Sequence, residues 1–435
     1  MKITFARESL TSQGLVSIAS QLTWGAQGFI TFVMAGRMLP RNQFGFVVAA
    51  NAILYGGQCL LLGPITNPTL RFGAIAKKSL RVTFLIYCAV TVLISLAFFL
   101  LGKQIGGFVF RDPTFITLVK LLGIPFAATM FYAVQKLVLF ARMRYKTVLL
   151  MDLLFTVSNI VGLSVLHAEG LLSSSVGFYM ARSGAALIGL IPAVALLILP
   201  GSAGSAEHEE RFDLREYLQH SKYSSIAMLS GYGQGQVDTL AVAHYLTPLS
   251  AASYGAAKVF FTGLTMVTSG LVMVALPGSS RIAANRNGTF SEYYRKTLLL
   301  AYAFLLPGAA ILAIVAGPII HLCFHGRYED AVPIVRIFCL TALVMPISSI
   351  TDAVANGAGW FRSACLAAII GGGVGIALSL SLTRIYGIRG AAVAPVLALT
   401  SSACVILWRT WRRMGVRGAL EQSGQPCVTS VVAND

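Results

Sequence analysis

Long apolar runs, separated by short polar turns, follow one another along the whole chain. The first two, residues 14–36 and 44–63, contain no charged side chain and are joined by a turn that includes Arg37, Pro40 and Arg41. A helix rises about 1.5 Å per residue, so about 23 residues cross the ~30 Å hydrocarbon core of a bilayer. Pro40 suits a helix start, and Gly45 tolerates the backbone angles of a tight turn. The pattern predicts a transmembrane hairpin.

The same pattern recurs to the end of the chain and predicts about twelve crossings. They are residues 14–36, 44–63, 82–101, 118–141, 148–166 and 176–199, and then 223–245, 254–276, 297–316, 332–357, 364–383 and 391–411. Residues 64–81 carry Arg71, Lys77, Lys78 and Arg81, and we expect this stretch to lie along the membrane surface. The fold class is therefore predicted to be an all-α polytopic membrane protein.

A charged run divides the crossings into two sets of six. Residues 201–216 hold five acidic and two basic side chains and predict a cytoplasmic linker. On this division, residues 1–200 form an N-terminal six-helix lobe, residues 217–413 form a C-terminal six-helix lobe, and residues 414–435 form a polar cytoplasmic tail.

The two halves also contain a short repeated sequence pattern. Leu246-Thr247-Pro248 followed by Ala252-Ser253-Tyr254-Gly255 repeats, with a small shift, Leu39-Pro40 followed by Phe44-Gly45-Phe46. An even number of crossings per half makes both halves enter the membrane in the same sense. The pattern therefore predicts two lobes around a central cavity, related by an axis along the membrane normal.

Composition and charge agree with a membrane protein. Hydrophobic residues make up 56% of the chain and charged residues 11%, and the mean hydropathy is +0.75. The net charge of +17 has a membrane explanation: about 21 basic residues fall on the side of the N-terminus and about 8 on the other. Both termini are predicted to be cytoplasmic, and no nucleic-acid partner is needed. The first run is too long for the apolar region of a signal peptide and lacks a convincing small-x-small cleavage site.

Motifs for catalysis and cofactor binding are missing from the sequence. The seven cysteines are scattered without a Cys-x-x-Cys spacing, which indicates small hydrophobes rather than disulfides or metal ligands. No phosphate-binding G-x-x-x-x-G-K-[ST], H-E-x-x-H or nucleophile-elbow motif occurs. We therefore expect no enzymatic activity, no cofactor and no metal.

Ionisable side chains inside the predicted crossings are the candidates for function. Each costs roughly 2.5 to 3.5 kcal/mol at the centre of a membrane helix, so it should face the protein interior or a cavity. They are Lys136, Asp152, Arg182, Asp238, Lys258 and Asp352. For Lys136, Asp152 and Asp352, a place near the cytoplasmic helix ends is equally open. Asp238 and Lys258 lie at similar depth on one hairpin, which indicates an internal ion pair or a coupling site.

Two short motifs resemble those of a known family. Gly36-Arg37-Met38-Leu39-Pro40-x-x-x-Phe44-Gly45, with a following helix that ends Leu61-Leu62-Gly63, is similar to the start of the polysaccharide (O-antigen, Wzx-type) flippases of the MATE-like superfamily. Gly326-Arg327-Tyr328-x-x-Ala331 is similar to the second half of that family. The resemblance implies translocation of an undecaprenyl-diphosphate-linked oligosaccharide across the bacterial inner membrane by alternating access. It also implies a surface polysaccharide polymerase with its chain-length machinery, and membrane lipids, as partners.

An anionic diphosphate is bound strongly by cationic side chains at low dielectric. The predicted substrate-binding residues are Arg182 and Lys136 in the first lobe, Lys258 in the second, and Arg71 at the cytoplasmic mouth. The alternative function is a cation-coupled multidrug or small-molecule exporter of the same fold, in which Asp238 would carry the proton or sodium ion. A polyprenol-using glycosyltransferase or polymerase is disfavoured, because the predicted periplasmic loops are short.

Overall fold

The computed structural model describes residues 7–66, 77–141, 144–198, 214–285, 290–358 and 360–422. Within these ranges every regular element is a helix. The prediction of an all-α protein is therefore confirmed.

The first half of the chain forms eight helices within the described ranges. They are α1 (Arg7–Met38), α2 (Arg41–Leu62), α3 (Lys77–Val109), α4 (Pro113–Leu121), α5 (Gly123–Ala141), α6 (Tyr145–Ala168), α7 (Ser175–Gly189) and α8 (Ile191–Ile198). Local sequence explains several ends. The Asp112 side chain accepts from the backbone N–H of Thr114 at 2.8 Å, and Pro113 occupies the first helical position of α4. Single residues, Leu122 and Leu190, interrupt the fourth and sixth predicted crossings.

The second half continues with α9 (Leu214–Gly235), α10 (Val237–Tyr245), α11 (Pro248–Asn285), α12 (Phe290–Phe324), α13 (Val332–Cys339), α14 (Met345–Gly357) and α15 (Phe361–Gln422). Short 3-10 turns, Glu329–Ala331 and Leu340–Leu343, flank α13. Gly387, with φ 61° and ψ −140°, divides α15 into two helices. A residue without Cβ adopts these angles without steric cost, which explains why the turn occurs there.

Each of the twelve predicted crossings falls largely on these helices, with short interruptions such as Leu122, Leu190 and the 3-10 turn Leu340–Leu343, and Leu199 is outside the described residues. Some crossings consist of two helices in line, such as α4 with α5, and α15 holds two crossings on the two sides of Gly387. Eight helices of the described chain, or nine if α13 and α14 with their 43° bend form one span, are long and apolar enough to cross a membrane. The cytoplasmic position of the termini stays a prediction.

The outer face of α3 is strongly apolar. Leu85, Val92 and Phe99, seven residues apart, are 68%, 62% and 63% exposed. Such a stripe is unfavourable in water and favourable against lipid chains. This surface supports a multi-pass membrane protein.

The chain forms two compact units. The first comprises Met1–Met228, Thr239–Val259 and Ile319–Ala331, and the second comprises Leu229–Asp238, Phe260–Pro318 and Val332–Asp435. The largest fully buried side chains of the first unit are aromatic, among them Tyr87, Phe115 and Phe126. In the second unit, Tyr294, Ile350, Val354 and Trp360 belong to one buried cluster. The predicted division into lobes at residues 200 and 217 stays a prediction.

Two predicted segments fall partly outside the described residues. These are the surface stretch 64–81, described only at 64–66 and 77–81, and the linker 201–216, described from 214 onward. The predicted tail begins as helix, because α15 continues to Gln422. Its alanine, leucine, arginine, glutamate and glutamine residues favour that conformation.

Candidate functional site

A buried ion pair joins α5 and α6 in the first unit. Lys136 Nζ lies 2.8 Å and 2.9 Å from the two carboxylate oxygens of Asp152. The Asp152 side chain is fully buried, and that of Lys136 is 12% exposed. Lys136 therefore points to a carboxylate inside the protein rather than to the membrane surface, and its charge is compensated.

Two hydroxyl groups complete the surroundings of the Asp152 carboxylate. Tyr132 on α5 donates to Oδ1 at 2.5 Å, and Ser20 on α1 donates to Oδ2. The Trp24 ring stacks on Tyr132 and Phe155 with centroids 5.7 Å apart in both cases. Lys136 Nζ lies 4.6 Å from the centre of the Trp24 ring, a geometry in which the ring attracts the cation. Four polar contacts and the ring of Trp24 thus stabilise the Lys136–Asp152 pair.

A second buried polar contact joins α1 to α6. The Thr31 hydroxyl oxygen accepts from Asn159 Nδ2 at 2.7 Å and from Gln27 Nε2 at 3.1 Å. All three side chains are buried, and the Asn159 Oδ1 atom has no hydrogen-bond partner in the described part of the chain. Sequence reasoning missed these residues. The signal was present, because Ser20, Trp24, Gln27 and Thr31 recur on one face of α1 at intervals of four, three and four.

Arg182 lies in the middle of α7. The hydroxyl of Ser174 caps this helix by accepting from the Gly177 N–H, and Arg182 follows roughly 10 Å from the helix start. The side chain is partly buried, and its Nε is buried without a hydrogen-bond partner. Among the residues that the structure describes, Arg182 forms no ion pair. Within the described part of the chain, no carboxylate compensates the charge of this residue, which lies inside a predicted crossing.

The next two predicted residues are Lys258 and Asp238. Lys258 Nζ donates to the Thr239 hydroxyl at 2.6 Å and lies 5.6 Å from the centre of the Tyr254 ring. Asp238 is buried at the start of α10. The ion pair predicted between Asp238 and Lys258 stays a prediction.

The last two predicted residues are Asp352 and Arg71. Asp352 on α14 accepts from Asn356 Nδ2 at 3.0 Å, one turn along the same helix. Arg71 lies outside the described residues.

The short motifs that resemble the flippase family meet in the first unit. Arg37 Nε and Nη2 donate to the carbonyl oxygens of Cys323 and Leu322, both at 2.5 Å. Arg327 Nη1 donates to the carbonyl of Arg37 at 2.8 Å, and its Nη2 donates to that of Leu39 at 3.1 Å. The carbonyls at helix C-terminal ends lack intrahelical donors, so each arginine satisfies acceptors at the end of the other helix.

A second layer of contacts lies beside these arginines. Arg41 Nη2 lies 3.2 Å from the Ser253 hydroxyl and 3.5 Å from Asp330 Oδ1. Ser253 in turn donates to Asp330 Oδ2 at 2.5 Å. The first residue of α2, the first part of α11 and the segment after α12 are therefore joined by side-chain hydrogen bonds.

Two glycines allow the backbones to approach closely here. A Cβ atom at Gly45 would lie 2.0 Å from the carbonyl oxygen of Pro248, and one at Gly255 would lie 2.1 Å from Val48 Cγ2. The two stretches that echo each other in sequence thus pack against each other, each through its glycine.

The buried side chain of Tyr328 packs among aromatic rings in the same region. Its ring lies 5.6 Å from that of Phe44 and 5.2 Å from that of Phe324, and its hydroxyl donates to the Gly36 carbonyl at 3.3 Å. Burial raises the pKa of Tyr328 to about 12, against the opposing effect of the nearby arginines. The hydroxyl therefore keeps its proton and its role as a donor at neutral pH.

The chain matches the model of a known protein family. The model of the family described as "Polysaccharide biosynthesis protein" matches residues 33–333. This range begins just before Arg37 and ends just after Arg327 and Asp330, so it contains both short motifs and the residues that join them. No curated protein matches the chain.

Solved structures share the fold. An inward-facing multidrug resistance MATE family transporter of the MOP superfamily has a TM-score of 0.69 at 15% identity, with 95% of this chain and 100% of that chain covered. The lipid II flippase MurJ, in an inward closed conformation, has a TM-score of 0.69 at 14% identity, with 93% and 91% covered. A MOP superfamily transporter from Pyrococcus furiosus, described as having a binding pocket of reversed polarity, has a TM-score of 0.59 at 12% identity, with 92% and 94% covered.

Proposed function

Since the chain belongs to the polysaccharide biosynthesis protein family, we propose that it moves a lipid-linked oligosaccharide across the bacterial inner membrane by alternating access. The carrier lipid would be undecaprenyl diphosphate, and the process served would be surface polysaccharide biosynthesis. Family and fold together support the broader class, a membrane flippase or transporter. Within that class, the similarity of the fold to that of a lipid II flippase supports a lipid-linked substrate.

The proposal rests on one observation, the charge of Arg182, which has no ionic partner in the described part of the chain. A charge at membrane depth is costly, and Arg182 has no carboxylate partner in the described chain to offset that cost. A substrate diphosphate would supply the missing negative charge. The planar guanidinium matches phosphate oxygens with two parallel hydrogen bonds, and such contacts are strong where water is scarce. We therefore assign Arg182 to the diphosphate, while substrate binding by Lys136, Lys258 and Arg71 stays a prediction.

The alternative, a cation-coupled exporter, needs a carboxylate that can take up and release a cation. Asp152 is fully buried in the first unit, and the ammonium of Lys136 already occupies both of its oxygens. This arrangement favours the flippase. Asp238 and Asp352 are the carboxylates on which the exporter function would depend.

Deletion of the gene in its native host tests the proposal. We expect surface polysaccharide to be lost, and the complete lipid-linked oligosaccharide to accumulate in the cytoplasmic leaflet, where added glycosidase reaches it only in inverted vesicles. A plasmid copy of the wild-type gene should restore both properties. Normal surface polysaccharide together with increased drug sensitivity would overturn the flippase and favour the exporter.

A further inference from the structure

The surroundings of Asp152 have the composition of a cation site. The hydroxyl groups of Ser20 and Tyr132 donate to Oδ2 and Oδ1 respectively, so two further oxygen atoms lie beside the two carboxylate oxygens. They come from three helices, α1, α5 and α6. Oxygen donors of this kind suit hard cations such as alkali metal ions rather than soft transition metals.

The positive charge in this site belongs to the chain itself. Lys136 Nζ contacts both carboxylate oxygens and also lies over the face of the Trp24 ring. We infer that Asp152, Ser20 and Tyr132 form an alkali-cation site that the protein fills with its own tethered ammonium group. The inference concerns this site alone and does not depend on which substrate is transported.

The tether determines what the site does in the native protein. A group attached to the same fold acts at a high effective concentration, so a free sodium ion should not displace the Lys136 ammonium. An ion gradient would then have no effect through Asp152. Removal of the ammonium leaves a fully buried carboxylate without its counter-charge, which is strongly unfavourable. Because hydroxyl groups rotate, Ser20 and Tyr132 can then turn their lone pairs towards a bound ion.

Thermal unfolding of the purified full-length protein tests this inference. Wild type, Lys136→Met and the double variant Lys136→Met/Asp152→Asn are compared in sodium chloride and in choline chloride at equal ionic strength. A ligand that binds the folded state raises Tm. We expect Lys136→Met to unfold about 2 °C or more higher in sodium than in choline, and the wild type and the double variant to show no difference.

Lys296→Met is a matched control. Lys296 pairs with Glu292 at 2.7 Å on the surface of α12, where the two side chains are 72% and 54% exposed. Water solvates the Glu292 carboxylate when the lysine is removed, so this variant should show no sodium-specific shift.

Two results would overturn the inference. One is a Lys136→Met protein whose Tm is the same in both salts, because the pair would then be structural only. The other is a wild-type protein that sodium stabilises relative to choline while the double variant shows no such shift, because the site would then already accept free sodium. If Lys136→Met does not reach the membrane, Lys136→Gln, which keeps a polar side chain, is measured in the same way and judged by the same outcomes.

Discussion

Arg37 and Arg327 each donate hydrogen bonds to backbone carbonyls at the C-terminal end of the other's helix. Arg37 lies in the last turn of α1 and binds the end of α12, whereas Arg327 follows α12 and binds the end of α1. Helix C-termini carry partial negative charge, so both contacts are favourable. The exchange holds together two helix ends that lie nearly 300 residues apart in the chain.

The first prediction concerns this exchange. Arg37→Ala and Arg327→Ala should each lower the free energy of unfolding by about 1.5 to 3 kcal/mol, the usual value for hydrogen bonds to charged groups. Lysine at either position should restore only part of the loss, because the forked geometry is gone. Unfolding of the purified variants measures this. Arg336→Ala, which removes one bond at 3.3 Å to the Ala313 carbonyl, is the control and should cost less. Wild-type stability in both arginine variants would contradict the prediction.

The second prediction concerns the two glycines of the same region. Gly45→Ala and Gly255→Ala would place a methyl group 2.0 Å from a backbone oxygen and 2.1 Å from a valine methyl. Overpacking of this kind costs typically 1 to 3 kcal/mol. Gly184→Ala on α7 is the control, since nothing lies within 4 Å of its added Cβ. We expect reduced thermal stability for the first two variants only. Equal stability of all three would show that α2 and α11 do not approach so closely.

The positions of the membrane helices were predictable from sequence because the bilayer imposes a simple rule. Each crossing needs about 20 apolar residues, and the polar turns between such runs are easily recognised. Interruptions such as Leu122 and Leu190 were not predictable, since a leucine in an apolar run gives no signal of a break. The continuation of α15 to Gln422 was also missed, because a polar composition does not exclude a helix.

The sequence predicted that the charged residues of the candidate site lie within crossings, but it did not predict which of them pair with each other. Sequence places Lys136, Asp152 and Arg182 within crossings, yet it does not give the rotation of each helix about its axis. Only the structure shows that Lys136 and Asp152 face each other while Arg182 has no ionic partner in the described chain. The link between Arg37 and Arg327 depends on tertiary packing, although both arginines belong to motifs recognisable in the sequence.

The third prediction is the pair of Asp238 and Lys258. Removal of one partner leaves a buried charge uncompensated, which costs roughly 3 to 5 kcal/mol, whereas removal of both costs less. The double variant Asp238→Ala/Lys258→Ala should therefore be better folded than either single variant. Membrane abundance and Tm of the three proteins measure this. A double variant no better than the single ones would disprove the pair.

The fourth prediction concerns the orientation of the chain in the membrane. The bias of basic residues places the turn at Asn42 in the periplasm and the linker at Glu209 in the cytoplasm. A cysteine introduced at Asn42 should react with a membrane-impermeant thiol reagent in intact cells, and one at Glu209 only in inverted vesicles. Reaction of both from the same side would contradict the predicted topology.

The fifth prediction concerns Arg182 in cells. Arg182→Lys should retain part of the surface polysaccharide, because a point charge still attracts phosphate without the bidentate fork. Arg182→Ala and Arg182→Glu should abolish it while the protein reaches the membrane at normal levels. An arginine with a purely structural role would lower the amount of folded protein first, so membrane abundance is measured in the same cells.

Translocation in proteoliposomes tests the central claim most directly. Purified wild type, Arg182→Lys and Arg182→Glu are reconstituted at equal protein content with a fluorescent oligosaccharide on undecaprenyl diphosphate, and the label exposed to an external quencher is followed with time. We expect the wild type to move the lipid between leaflets, Arg182→Lys to move it more slowly, and Arg182→Glu to give the rate of protein-free vesicles, since a like charge repels the diphosphate. A wild-type rate no higher than that of protein-free vesicles, or an Arg182→Glu rate equal to wild type, would contradict the account.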